Sequence, residues 1–132
     1  MIEGKLKASE LPEVWNAKMQ EYLGVTPPDN AEGVMQDVHW SEGLIGYFPT
    51  YSLGNILSVQ LLETAHKSLG DLEGQWSKGD YAPLLGWLRE NVHRHGKREL
   101  PPALIERATG SSLSAKPYVA YLTRKFSELY GL

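Results

Sequence analysis

The chain has 132 residues and no cysteine. That length is enough for one buried core, and the missing thiols exclude disulfides and thiolate metal sites. A formal net charge of −3 excludes the basic footprint of a nucleic-acid binder.

Basic residues do gather at Arg94, Lys97 and Arg98, while acids are spread along the rest. The longest apolar run falls well short of the roughly 20 residues of a membrane span. Met1 to Lys7 lacks the apolar core of a signal peptide. These features predict a soluble, cytoplasmic protein, and the absence of cysteine fits a reducing compartment. Helix-like sequence follows Met1 at once, so the chain is expected to begin inside a larger protein.

Helices separated by breakers follow in chain order. Ser9 is placed to cap a helix through Leu23, with Leu11, Val14, Trp15, Met19, Tyr22 and Leu23 at 3–4 spacing and Gly24 as the stop. Val25 to Asn30 is a loop, because Pro27-Pro28 excludes helix. A long helix is predicted from about Thr50 to Leu69, ended by Gly70. A short helix is predicted over Asp71 to Lys78, stopped by Gly79. Asp80 caps the next, with Pro83 tolerated in its first turn, and that helix is expected to reach Gly96. Pro101-Pro102 opens a short helix to Ala108. Ser114 opens the last, through Tyr130. No stretch alternates with period two for long enough to suggest a sheet. The predicted fold is all-α, a single helical domain over 1–132 with six or seven helices and no internal repeats.

Residues 33–51 break this pattern. Gln36, Asp37, His39, Trp40, Tyr47 and Tyr51 crowd into a stretch with three glycines and a proline. Acid, imidazole, indole and phenol groups at this density suit a polar pocket better than an apolar core. Gly33 and Gly43 flank the Gln-Asp-x-His-Trp run and permit turn geometry. In a loop, Asp37 and His39 are placed to converge, with Asp37 orienting the imidazole. Tyr47 and Tyr51, four apart, share one helix face if helix starts that early. A phenol beside an imidazole is a plausible pair of donors for the oxyanion of a tetrahedral intermediate. The plain alternatives are a hydrogen-bonded structural histidine, core aromatics and an Asp37 that only forms a turn. The chain has no His-Glu-x-x-His and no glycine-rich phosphate loop.

The pattern Gly33-x-x-Gln36-Asp37-x-His39-Trp40, followed by Gly46-Tyr47-Phe48-Pro49-Thr50-Tyr51-x-Leu53-Gly54-Asn55, resembles the C-terminal signature of the carboxypeptidase Taq family of zinc metallocarboxypeptidases. The similarity continues through Trp87 to Glu90, His93 to Gly96, Pro101 to Gly110 and Tyr118 to Leu132. It extends back to the N-terminal Glu-Gly-x-Leu-Lys and Leu-Pro-x-x-Trp-Asn-x-Lys-Met runs. It therefore covers essentially the whole chain, in order.

This resemblance implies a largely helical, grooved enzyme several times longer, of which this chain is the C-terminal quarter. In the family, zinc is held by two His of a His-Glu-x-x-His helix and a downstream Glu, and the Glu inside that motif serves as general base. The family's motifs carrying substrate-binding arginines are missing too. The isolated chain is accordingly expected to lack hydrolytic activity and to bind no metal, with zinc present only in the full-length enzyme. What the resemblance assigns here is His39 and Tyr47 nearest the chemistry, as hydrogen-bonding partners of the substrate carbonyl and its oxyanion. Gln36 and Asp37 are expected to orient His39 or hold the motif's backbone at the substrate side. Trp40 is expected to pack. Tyr51 suits substrate binding and core packing equally. The implied partners are a peptide substrate and the missing N-terminal catalytic part, with a homodimer through exposed apolar surface.

His93-x-His95 would suggest metal on a strand, but at a helix C-terminus the two rings point apart. A charged helix end, favoured by the helix dipole, or a groove wall attracting a substrate carboxylate, is the better expectation. His66, beside Lys67, is expected to be exposed. The competing function is a non-catalytic helical domain, with the aromatic Tyr47–Tyr51 region as a peptide or partner groove. A self-contained metal enzyme using His39, His93 and His95 lacks a nearby carboxylate pattern.

Overall fold

Glycine and proline divide the chain where the sequence says they should. The computed structural model describes residues 1–132. It contains six α-helices: α1 (Leu11–Leu23), α2 (Pro49–Leu69), α3 (Leu72–Trp76), α4 (Ala82–Asn91), α5 (Pro101–Thr109) and α6 (Lys116–Tyr130). Four short 3-10 turns, Ala8–Glu10, Val34–Gln36, Val38–Glu42 and His93–His95, complete the list, and there is no strand. The chain forms two compact units, Met1–Thr50 and Tyr51–Leu132. No helix is long and apolar enough to cross a membrane.

In the first unit, α1 does not start from Ser9. A 3-10 turn over Ala8–Glu10 precedes it, and the N-cap is Glu10, which makes no side-chain cap bond. The Glu10 carboxylate instead accepts from the Lys7 backbone N–H at 2.9 Å. Pro12 sits in the first turn of the helix, where a missing N–H costs nothing. At the other end Gly24 takes the left-handed conformation and donates to Gln20 O at 3.0 Å.

The second unit is built on α2. Its buried side chains are Gln60 and Ala65, and they are joined in the core by Leu72, Ile105 and Ala108. Leu72 is fully buried because α3 is aimed inward by a tight reversal. Gly70 closes α2, and Asp71 Oδ1 then accepts from Gly74 N at 2.8 Å. A Cβ at Gly74 would displace the Asp71 carboxylate from this capping position. α3 ends at Trp76, shorter than the stretch to Lys78 that was expected, because the next residues close into turns.

Gln60 is the polar hub of this unit. Its carbonyl oxygen accepts from Ser114 N at 3.0 Å, and its amide nitrogen lies within hydrogen-bond reach of Thr109 Oγ1, Ser111 O, Ser111 Oγ and Ser112 O. A buried amide with both ends satisfied is stable, whereas a half-satisfied one is costly. The Ser114 hydroxyl in turn accepts from Lys116 N at 3.3 Å at the start of α6. Ser114 is held by Gln60, and the helix begins at Lys116 after Ala115.

Other boundaries also differ from the sequence expectation. α4 has Tyr81 as its N-cap, and Asp80 Oδ1 accepts from Ala82 N at 3.1 Å just ahead of it. α4 stops at Asn91 rather than reaching Gly96, since Val92 leaves helical geometry and His93–His95 form a 3-10 turn. In the last turns Glu90 pairs with Arg94, and that guanidinium holds the Glu90 carboxyl below its ordinary range. His66 is half-buried, not exposed: its Nε2 lies 3.3 Å from Glu73 Oε1 and its ring meets Trp76 edge-on.

Candidate functional site

The turn that carries the polar cluster belongs to the first unit. Gly33 opens it with φ −112° and ψ −114°, outside the helical and extended regions. A Cβ there would lie 2.9 Å from Asp29 O and 3.1 Å from the Pro27 ring. Gly43 closes the next turn at φ 71°, in the left-handed region. Between them Val34 is buried and anchors the segment.

Asp37 is the N-cap of the Val38–Glu42 turn. One carboxylate oxygen accepts from His39 N at 3.1 Å and meets His39 Nδ1 at 2.7 Å. The two side chains are 9% and 16% exposed, so the pair is shielded from bulk water. An ionised carboxylate at 2.7 Å requires the proton on Nδ1, which fixes the tautomer. Nε2 then accepts when the ring is neutral and donates when it is protonated. The Tyr47 ring lies 5.1 Å from the His39 ring, tilted by 36°, and Phe48 meets the imidazole edge-on at 5.5 Å.

The other expected residues take separate places. Gln36 does not reach His39. Its amide donates to Ala31 O at 2.6 Å and so holds the backbone of the motif. Trp40 packs edge-on against Trp15 of α1, with centroids 6.0 Å apart. Tyr47 precedes α2, which begins at Pro49, so Tyr47 and Tyr51 do not share a helix face. Tyr51 lies in the first turn of α2 and belongs to the second unit.

A cavity of about 760 Å³ opens beside this pair, with Leu11, Trp15, Trp40, Ile45 and Phe48 on its walls and Asp37 at its border. Two of its residues escaped sequence reasoning. Trp15 reads as an ordinary amphipathic-helix position 25 residues upstream, and nothing local links it to Trp40. Phe48 had a signal, its place next to Tyr47, but an apolar ring offers no chemistry to notice.

At the far end of the chain, His95 Nε2 lies 2.9 Å from Arg107 Nη1 and 3.0 Å from Glu90 O. Arg107 also donates from Nε to both Glu99 carboxylate oxygens at 3.1 Å. His95 is thus part of a charged helix-end network. No three His, Cys, Asp or Glu side chains are placed together to share a metal ion.

Comparison with known proteins supplies the context. The sequence profile of the carboxypeptidase Taq (M32) metallopeptidases matches residues 1–126. The chain is 47% identical over 131 residues to thermostable carboxypeptidase 1 of Thermus thermophilus, covering 99% of this chain and 26% of that protein. It is 41% identical over 132 residues to carboxypeptidase 1 of Bacillus subtilis, covering 100% of this chain and 26% of that one. The crystal structure of the M32 carboxypeptidase from Deinococcus radiodurans R1 superposes with a TM-score of 0.89 at 45% identity, over 99% of this chain and 27% of that structure. The chain therefore spans about a quarter of the length of these relatives. An all-helical fold, a motif-bearing turn and this sustained identity lead to one conclusion: the chain belongs to the carboxypeptidase Taq (M32) family of metallopeptidases.

Proposed function

We propose that this chain is the C-terminal part of a zinc-dependent metallocarboxypeptidase that removes C-terminal residues from peptides. Its contribution is the substrate side of the active site. The Asp37–His39 pair, closed at 2.7 Å with the Tyr47 ring 5.1 Å from the imidazole, is the observation that carries this reading. Asp37 orients His39, and Gln36 holds the turn through Ala31 O. In its imidazolium form His39 donates from Nε2, and together with the Tyr47 hydroxyl it serves as a hydrogen-bond donor to the scissile carbonyl and to the oxyanion that develops from it. Such donors act by being preorganised where charge appears. Tyr51 contributes to peptide binding.

In this reading the metal is held by residues outside this chain. The isolated chain is therefore inactive, and its functional partner is the remainder of the enzyme. A non-catalytic helical interaction domain is the second reading. It is favoured by the exposure of Tyr47, Phe48, Tyr51 and Leu53.

Reconstitution separates the two. The complementary segment of a relative, added in trans to the folded chain, is expected to restore carboxypeptidase activity. A stable complex without activity would favour the interaction domain. In the full-length enzyme, Tyr47→Phe is expected to lower turnover by about 10²–10³ with zinc retained, and near-normal turnover would remove Tyr47 from the role. His39→Ala should behave alike. Loss of zinc in that variant would make His39 a metal-site residue instead.

A further inference from the structure

Proline at position 49 biases the residue before it toward extended backbone, so the sequence itself limits where Phe48 can aim its ring. The backbone around it is tied down as well. Tyr47 N donates to Leu44 O at 3.2 Å, and Thr50 N donates to Tyr47 O at 2.9 Å. Gly46 supplies the left-handed residue of this turn, at φ 80°. Phe48 therefore hangs from a stretch with little freedom of its own. Its ring meets the imidazole of His39 edge-on, with centroids 5.5 Å apart and planes 76° apart, within the range of favourable aromatic pairs.

The Asp37 bond does not by itself fix His39. That bond, 2.7 Å from Asp37 Oδ1 to His39 Nδ1, sets a distance and a tautomer. The second side-chain torsion of histidine has broad minima, so the ring plane can still rock about the contact. Rocking moves Nε2, and with it the direction in which that atom donates. Neighbouring rings have to hold the plane. Tyr47 lies 5.1 Å away and tilted by 36°, while Phe48 stands near perpendicular. Two rings at different angles restrain tilts that one ring alone does not. Phe48 has no polar side-chain atom, so it neither moves a proton nor bonds a substrate. It is also 55% exposed, so little core packing depends on it.

We infer that Phe48 is a positioning residue: it holds the plane of the His39 imidazole, so that Nε2 keeps a fixed aim that the Asp37 bond alone would leave loose. The inference rests on the proposed role of His39 as a donor to the scissile carbonyl. It adds a residue that acts only through the shape of its ring. An aromatic ring, and not apolar bulk, is what position 48 requires.

The test compares Phe48→Leu, which keeps apolar bulk, with Phe48→Tyr, which keeps the ring. In the isotope-labelled 132-residue chain, residual dipolar couplings of the His39 ring C–H bonds report how tightly the imidazole plane is held. Phe48→Leu should shrink these couplings while the backbone couplings of residues 36–43 stay at their wild-type values. Phe48→Tyr should restore them. In the full-length enzyme Phe48→Leu should lower kcat about tenfold with KM unchanged, because a misaimed donor weakens the transition state more than substrate binding. Phe48→Tyr should keep wild-type kcat. If Phe48→Leu fails to fold, Phe48→Met gives the same comparison. Unchanged ring couplings in Phe48→Leu, a fall shared with the backbone couplings, or a rise in KM in place of the fall in kcat would each overturn the inference. Failure of the underlying reading shows separately. Normal turnover of His39→Ala would remove the histidine from catalysis, while the ring couplings of the isolated chain still decide whether Phe48 holds its plane.

Discussion

Asp37 does two jobs with one oxygen. It caps the turn that begins at Val38, and it meets the imidazole of His39 two residues on. The cap fixes the backbone, and the same carboxylate then fixes the ring. Asp37→Asn keeps a capping oxygen but removes the charge that holds the proton on Nδ1. The variant is expected to fold and to show a larger share of the Nε2–H tautomer in the imidazole nitrogen shifts. An unchanged nitrogen spectrum would mean that another contact sets the tautomer. This pair was legible in the sequence because the two residues lie two apart in a glycine-flanked loop. Gln36 was legible only as polar. Whether it reached forward to His39 or back to Ala31 depended on a turn whose path the sequence does not state. Phe48 against His39 and Trp15 against Trp40 are contacts of shape, and apolar rings carry no pattern that names their neighbour.

Among the elements, α2 shows how a helix is tied to a loop by one side chain. Gln60 is buried among Thr109, Ser111, Ser112 and Ser114, all some fifty residues downstream. Its amide nitrogen has two hydrogens for four acceptors, so the bonds are shared, while its oxygen has the single Ser114 N–H. Gln60→Leu leaves that N–H buried and unpaired. The expected loss of stability is about 1–3 kcal/mol, read from the urea midpoint. A loss under a few tenths would mean that water replaces the amide. Along α2 the sequence showed only a polar residue among Val59, Leu61 and Leu62, which suggests an exposed position. The start of α6 was legible to within a residue or two, since Ser114 Oγ accepts from Lys116 N at 3.3 Å and Ala115 is the N-cap. Helix ends closed by glycine at 24 and 70 were legible, since left-handed geometry is a local requirement.

For the whole molecule, the balance of burial is what stands out. Few large side chains are fully buried, while Tyr22, Leu23, Val119, Leu129 and Tyr130 are exposed. A chain that spans about a quarter of its relatives' length has this character when surfaces meant for other segments face water. Apolar surface of this extent drives association. The purified chain is expected to form dimers or larger species at micromolar concentration in light scattering, and the complementary segment of a relative should return it to a defined heterodimer. A monomer across the concentration range would show that these side chains are too scattered to form a patch. Family membership and the all-α class were determined by the sequence alone: glycine and proline punctuation, 3.6-residue periodicity and contiguous motifs are all local, and local patterns survive in a quarter of a protein. Only the tertiary structure decided that Trp40 packs on Trp15 and that Gln60 ties α2 to the approach to α6. Those are contacts between residues set by packing and by the sharing of hydrogen bonds, and no spacing along the chain encodes them.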